Sequence, residues 1–280
     1  MYKHILKSNA KVIDISAQNI YGILDLENNT RLEILICINN NITSIINIPS
    51  TLEELYCSHN QLTQLDGLSN GLTKLDCSYN QIEQLDNIPY NLVELICKKN
   101  KLKYLNMIPE GLEILDCSSN YIEKLEDLPH SLKKLNCSSN LITRINFLPE
   151  GLTELICHDN LIWKISKLPN SLEELDCSNN RIEGEFSFVS SLTNVYIKNN
   201  KIESLNNLAN CSKLKILNCE NNQISLIDCI PDCLEELIAN NNCFDWNWTV
   251  PKNLEVIGIE KFKINQNINL YKTIIILDNL

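Results

Sequence analysis

Thirteen cysteines are the residues of this 280-residue chain best suited to chemistry. Cys37, Cys57, Cys77, Cys97, Cys117, Cys137, Cys157 and Cys177 recur at intervals of twenty, and Cys219 continues the series. Thiols in a regular row suggest disulfides, a zinc site or a nucleophile. In-register side chains on parallel strands point the same way and do not meet as disulfides, and a chain with no secretory leader at its start is expected in a reducing compartment. Zinc needs four converging ligands, whereas a row presents them in line, and no C-x-x-C pair occurs. A nucleophilic cysteine needs a stabilised thiolate beside a base, and an apolar setting works against it. The same slot is filled by Ile197 and Ala239, so it asks for a small apolar group, which a reduced cysteine supplies.

Other catalytic sets are equally thin. Asp76 and Asp116 lie two repeats apart, roughly 10 Å at strand spacing, with no base beside them. His158 adjoins Asp159, and Cys157 precedes them. With seven glycines and no G-x-G-x-x-G or P-loop, nothing marks a phosphate cradle. The expectation is a protein with no enzymatic activity, cofactor or metal. Cys211, Cys229 and Cys233 lie off the row on adjacent outer segments; they stand as either a small cluster or incidental thiols.

What positions these residues is a repeat. An opening leucine falls at Leu32, Leu52, Leu72, Leu92, Leu112, Leu132, Leu152, Leu172, Leu192, Leu214, Leu234 and Leu254. The fourth position is Leu, Val or Ile, the sixth usually Cys, the ninth Asn and the eleventh mostly Ile, with apolar residues again at the fourteenth and seventeenth. Alternation at positions four and six is the period of a short strand with one buried face. One unit cannot bury its stripe alone, so successive units must stack their strands into a parallel sheet over a shared core. An inward asparagine at position nine can bond the backbone where each strand turns, so Asn120→Ala is expected to lower the melting temperature.

The pattern L-x-x-L-x-C-x-x-N-x-I-x-x-L-x-x-L resembles the leucine-rich repeat family over roughly residues 10–280, with "VIDISAQNI" as a degenerate first unit and "KTIIILDNL" as an incomplete last strand. The resemblance implies an α/β-type solenoid, mostly β and irregular. It would be a curved right-handed coil with a parallel sheet of about thirteen strands on its concave face. A single domain spanning 1–280 is expected, with a degenerate repeat and cap over 1–31, regular repeats over 32–271 and a capping strand over 272–280. Twenty-residue units carrying proline three before the next opening leucine are similar to repeats of bacterial effectors and of giant-virus proteins; proline there predicts an extended return. The unit opening at Leu192 is twenty-two long and has room for a short 3₁₀ turn. In "EGEFSFVSS" Glu185 falls where an apolar residue is expected, which predicts a local bulge.

Positions three, five and seven face the concave solvent side. They mix Ile and Tyr with serine and charge, a composition suited to a protein partner. The candidate contacts are Tyr56, Ile96, Asp116, Ile156, Asp176 and Tyr196. A formal charge of −11 argues against a general nucleic-acid binder. No apolar run is long enough for a secretory leader or a membrane span, so an intracellular, cytoplasmic chain is expected. The leading expectation is an intracellular scaffold binding a protein. The alternative is a self-associating structural protein whose apolar "TIIIL" edge, residues 273–277, supports a homodimer.

Overall fold

The computed structural model describes residues 3–5, 10–227, 229–243, 253–258 and 275–276. The chain divides into two compact units, Met1–Leu141 and Ile142–Leu280. In the first, seven three-residue strands pair in parallel, from Val12–Asp14 and Ile34–Ile36 through Glu54–Tyr56, Lys74–Asp76, Glu94–Ile96 and Ile114–Asp116 to Lys134–Asn136. In the second the order runs Glu154–Ile156, Glu174–Asp176, Asn194–Tyr196, Ile216–Asn218, Glu236–Ile238, Val256–Gly258 and Ile275–Ile276. The protein is a parallel-sheet solenoid with strands close in number to the thirteen expected. Most of the carboxyl-terminal segment proposed for self-association lies outside the described residues; of it, Ile275–Ile276 pairs with Val256–Ile257.

Within each unit the pairing has no slip on this sheet. Glu54, Leu55 and Tyr56 stand opposite Lys74, Leu75 and Asp76, for example, and Glu174, Leu175 and Asp176 opposite Asn194, Val195 and Tyr196. The twenty-residue period sets this register, because one whole coil returns every side chain to the same face. The opening and fourth-position leucines, the row of cysteines and the eleventh-position isoleucines are buried. No disulfide forms in the row: all its cysteines are free. Burial pushes the thiols of Cys37, Cys77 and Cys219 up to about 12, and those of Cys57, Cys97, Cys117 and Cys157 well upward, because a thiolate there would lose its water.

Asparagine closes each coil. Asn120 Nδ2 donates to the carbonyls of Cys97 (3.1 Å), Cys117 (3.0 Å) and Ser118 (3.2 Å), while its Oδ1 accepts from Leu102 N–H (3.0 Å). Asn200 does the same in the second unit, toward Cys177 (3.0 Å) and Ile197 (3.1 Å), accepting from Ile182 N–H (3.0 Å). A short amide is the side chain that supplies donors and an acceptor to four backbone groups at once.

The outer segments follow their prolines. Leu52, Leu92 and Leu172 N–H each donate to the carbonyl of the proline three residues before (3.1 Å in each case), and these returns contain no helix. The twenty-two-residue unit has its 3₁₀ turn at Leu208–Asn210, with Cys211 in the proline's place accepting from Leu214 N–H at 3.2 Å. The bulge is also present: Glu183–Ser187 pairs with Lys201–Asn206 with a register shift between Gly184 and Glu185, and Gly184 adopts φ +75°. That shift turns Phe186 inward and leaves Glu185 exposed.

Candidate protein-binding surface

On the solvent face of the first unit, Asp76, Ile96 and Asp116 stand side by side in register, and Tyr56 is opposite Asp76. Alternation along each strand turns these half-buried side chains outward. The Tyr56 hydroxyl donates to Glu54 Oε2 at 2.8 Å, and Glu54 in turn lies 3.4 Å from Lys74 Nζ. Partial burial, then the bond to Glu54, push the Tyr56 phenol up to about 12. Asp116 Oδ1 accepts from Ser118 N–H (3.0 Å) and Oγ–H (2.6 Å), and its Oδ2 lies 3.9 Å from Lys98 Nζ. Ile96 is thus an apolar contact between two carboxylates whose rotamers are held by serine.

In the second unit Ile156, Asp176 and Tyr196 occupy successive rungs in register. Asp176 Oδ1 accepts from Ser178 N–H at 3.0 Å. Burial, then the charges of Glu236, Glu174 and Asp176, move the Tyr196 phenol upward. Each set of three therefore sits on one face of its own unit, as the alternating pattern predicts.

The eighth position was not singled out in the sequence, although the structure makes it prominent. In every regular turn among the described residues it adopts a left-handed backbone, with φ between 52° and 57° from Asn39 and His59 to Asn241. In the first unit His59 and Tyr79 stack there, centroids 4.0 Å apart and planes at 13°, and Lys98 Nζ lies 6.0 Å from the Tyr79 ring centroid. In the second, Asp159, Asn179, Asn199, Asn221 and Asn241 form a ladder, each amide donating to the preceding side-chain oxygen at 2.9, 2.5, 2.7 and 2.6 Å. The signal was visible as a run of asparagine at a fixed interval, the residue most tolerant of that backbone after glycine.

Of the off-row cysteines, Cys211 and Cys233 bond to backbone carbonyls. The Cys233 thiol donates to the carbonyls of Cys211 (3.3 Å) and Leu214 (3.2 Å), as Ser171 Oγ does toward Glu150 and Leu152 (2.6 Å each) in its own turn. Cys211 donates to Val189 O at 3.4 Å, and Cys229 is exposed. Among the described residues no group of three or more His, Cys, Asp or Glu is arranged to hold a metal ion, and no helix is long and apolar enough to cross a membrane.

The class follows from this architecture and from two matching segments. Residues 50–90 match a family model described as leucine-rich repeats in two copies, and residues 171–189 match one for a single leucine-rich repeat. The chain is a leucine-rich repeat solenoid, a class whose members are generally protein-interaction modules and typically non-catalytic. Among solved structures it is similar to YopM, a leucine-rich effector protein of Yersinia pestis, at 25% identity over 88% of this chain and 81% of that one, with a TM-score of 0.61. It is similar to the functional domain of InlJ from Listeria monocytogenes, described as including a cysteine ladder, at 24% identity over 89% and 67% with a TM-score of 0.61. It is also similar to the plant peptide hormone receptor RGFR1 in complex with RGF2, at 22% identity over 89% of this chain and 51% of that one, with a TM-score of 0.68.

 

A search of curated protein sequences returns no match.

Proposed function

We propose that the chain is a non-catalytic interaction module that binds a protein partner on the solvent face of its parallel sheet. The contacts are Tyr56, Ile96 and Asp116 in the first unit and Ile156, Asp176 and Tyr196 in the second. The supporting observation is the register: Ile96 lies between Asp76 and Asp116, and Asp176 between Ile156 and Tyr196. Half-buried apolar anchors beside oriented carboxylates suit a partner segment that alternates apolar and basic side chains. The RGFR1 structure holds a peptide, which supports a binding role for the fold. The free thiols fit a reducing compartment inside the cell.

Affinity capture with the full chain tests this, comparing wild type with Tyr56→Ala/Ile96→Ala and with Ile156→Ala/Tyr196→Ala. Each pair of substitutions is expected to reduce partner recovery, and equal recovery from all three would remove the sheet face from the proposal. Self-association is the second reading, favoured by Ile275–Ile276 standing last in the strand order. Light scattering on the same preparations decides it, a monomer mass eliminating the homodimer.

A further inference from the structure

The second unit holds a cavity of about 860 Å³ away from the main sheet, lined in part by Trp163, Lys164, Ile165, Lys167, Glu183 and Glu185. Its origin is the irregular turn. Ile165 occupies the fourteenth position, where Ile145 and Leu205 are 1% and 5% exposed, yet Ile165 is only half-buried. Lys164–Ile165 pairs with Arg144–Ile145, whereas the bulged strand Glu183–Ser187 pairs with Lys201–Asn206. These successive outer strands therefore belong to separate sheets, and both line the cavity. Phe186 and Phe188, packed edge to face at 5.4 Å, form an apolar wall, and Trp163 stands 45% exposed.

The lining carries both signs of charge. Lys164, Lys167 and Glu183 make no ion pair among the described residues, and Glu185 accepts only a neutral amide, from Asn206 Nδ2 at 3.0 Å. A lipid would leave these charges desolvated without partners, and a nucleic acid would meet the two glutamates. An extended peptide instead offers a backbone for strand edges and side chains of either sign.

We propose that this groove binds an extended segment of a protein partner. An apolar side chain of that segment contacts Ile165 and Trp163, an acidic one faces Lys164 and Lys167, and a basic one faces Glu183 and Glu185. The site is separate from the sheet face proposed above. A displayed random-heptapeptide library panned on the full chain is the test. Enriched peptides are expected to share an apolar residue flanked by opposite charges. Lys164→Glu/Lys167→Glu should weaken a synthetic copy about tenfold, roughly 1.4 kcal/mol. Adding Glu183→Lys/Glu185→Lys should restore binding to the copy with its charges exchanged. These are exposed positions, and an unchanged melting temperature verifies the fold. Ile156→Ala/Tyr196→Ala should leave the peptide bound. No shared peptide motif, indifference to the charge reversals, or loss of binding in the sheet-face variant would each overturn the proposal.

Discussion

At the eighth position of each turn the first unit places Asn39 and then His59, Tyr79, Lys99, Ser119 and Ser139, and the second places Asp159, Asn179, Asn199, Asn221 and Asn241. Both sets hold the same left-handed backbone. The coil demands that conformation for its turn and leaves the side chain free to vary. Asparagine meets the demand with little strain and adds a ladder of amide bonds, whereas His, Tyr and Lys adopt it against a steric cost. The first unit accepts that cost and thereby holds an aromatic stack, with Lys98 of the seventh position 6.0 Å from the Tyr79 ring centroid; the second has a quieter, self-bonded edge.

The largest expected effect lies in the interiors of the two units, which share the same asparagine bonds. Asn120→Ala and Asn200→Ala should each destabilise by about 1–3 kcal/mol, because each strands backbone groups inside a coil. Denaturant unfolding measures it, and a markedly unequal loss would break the equivalence. A smaller effect tests the edges. Tyr79→Asn should stabilise by up to about 1 kcal/mol, and Asn199→Tyr should destabilise by about 1–2 kcal/mol, read as thermal midpoints. Opposite signs sharpen the contrast; equal losses would mean that the stack, not the backbone, governs the first edge.

The smallest effect concerns alkaline pH. Tyr56 keeps its proton to about 12 in the folded chain, against about 10 when unfolded. Its contribution is therefore fully present below pH 10 and is lost as pH rises through 12. Tyr56→Phe should remove this late step from an absorbance titration of the phenols and flatten the alkaline decline of the melting temperature. An unchanged titration would place Tyr56 in solvent like any exposed tyrosine.

Much of this was legible from spacing. Leu55 and Cys57 announce a buried strand face, Asn120 a backbone-bonding turn, Glu185 a bulge and the absence of proline before Leu214 a different return. The stack of His59 on Tyr79 was not legible, because two residues twenty apart reveal nothing of ring orientation. Nor was the groove at Ile165, since the sequence marks the bulge without saying which neighbouring strand it will pair with.

Periodicity alone determined the coil, its register and the identity of its interior, because a repeat that returns every twenty residues brings like side chains together whatever their surroundings. Tertiary structure decided which turns stay paired on the outer side, which charges are left without partners and how the edge side chains stack. Those outcomes depend on packing between successive coils, where a single inserted bulge redirects a strand while the spacing of leucines is unchanged.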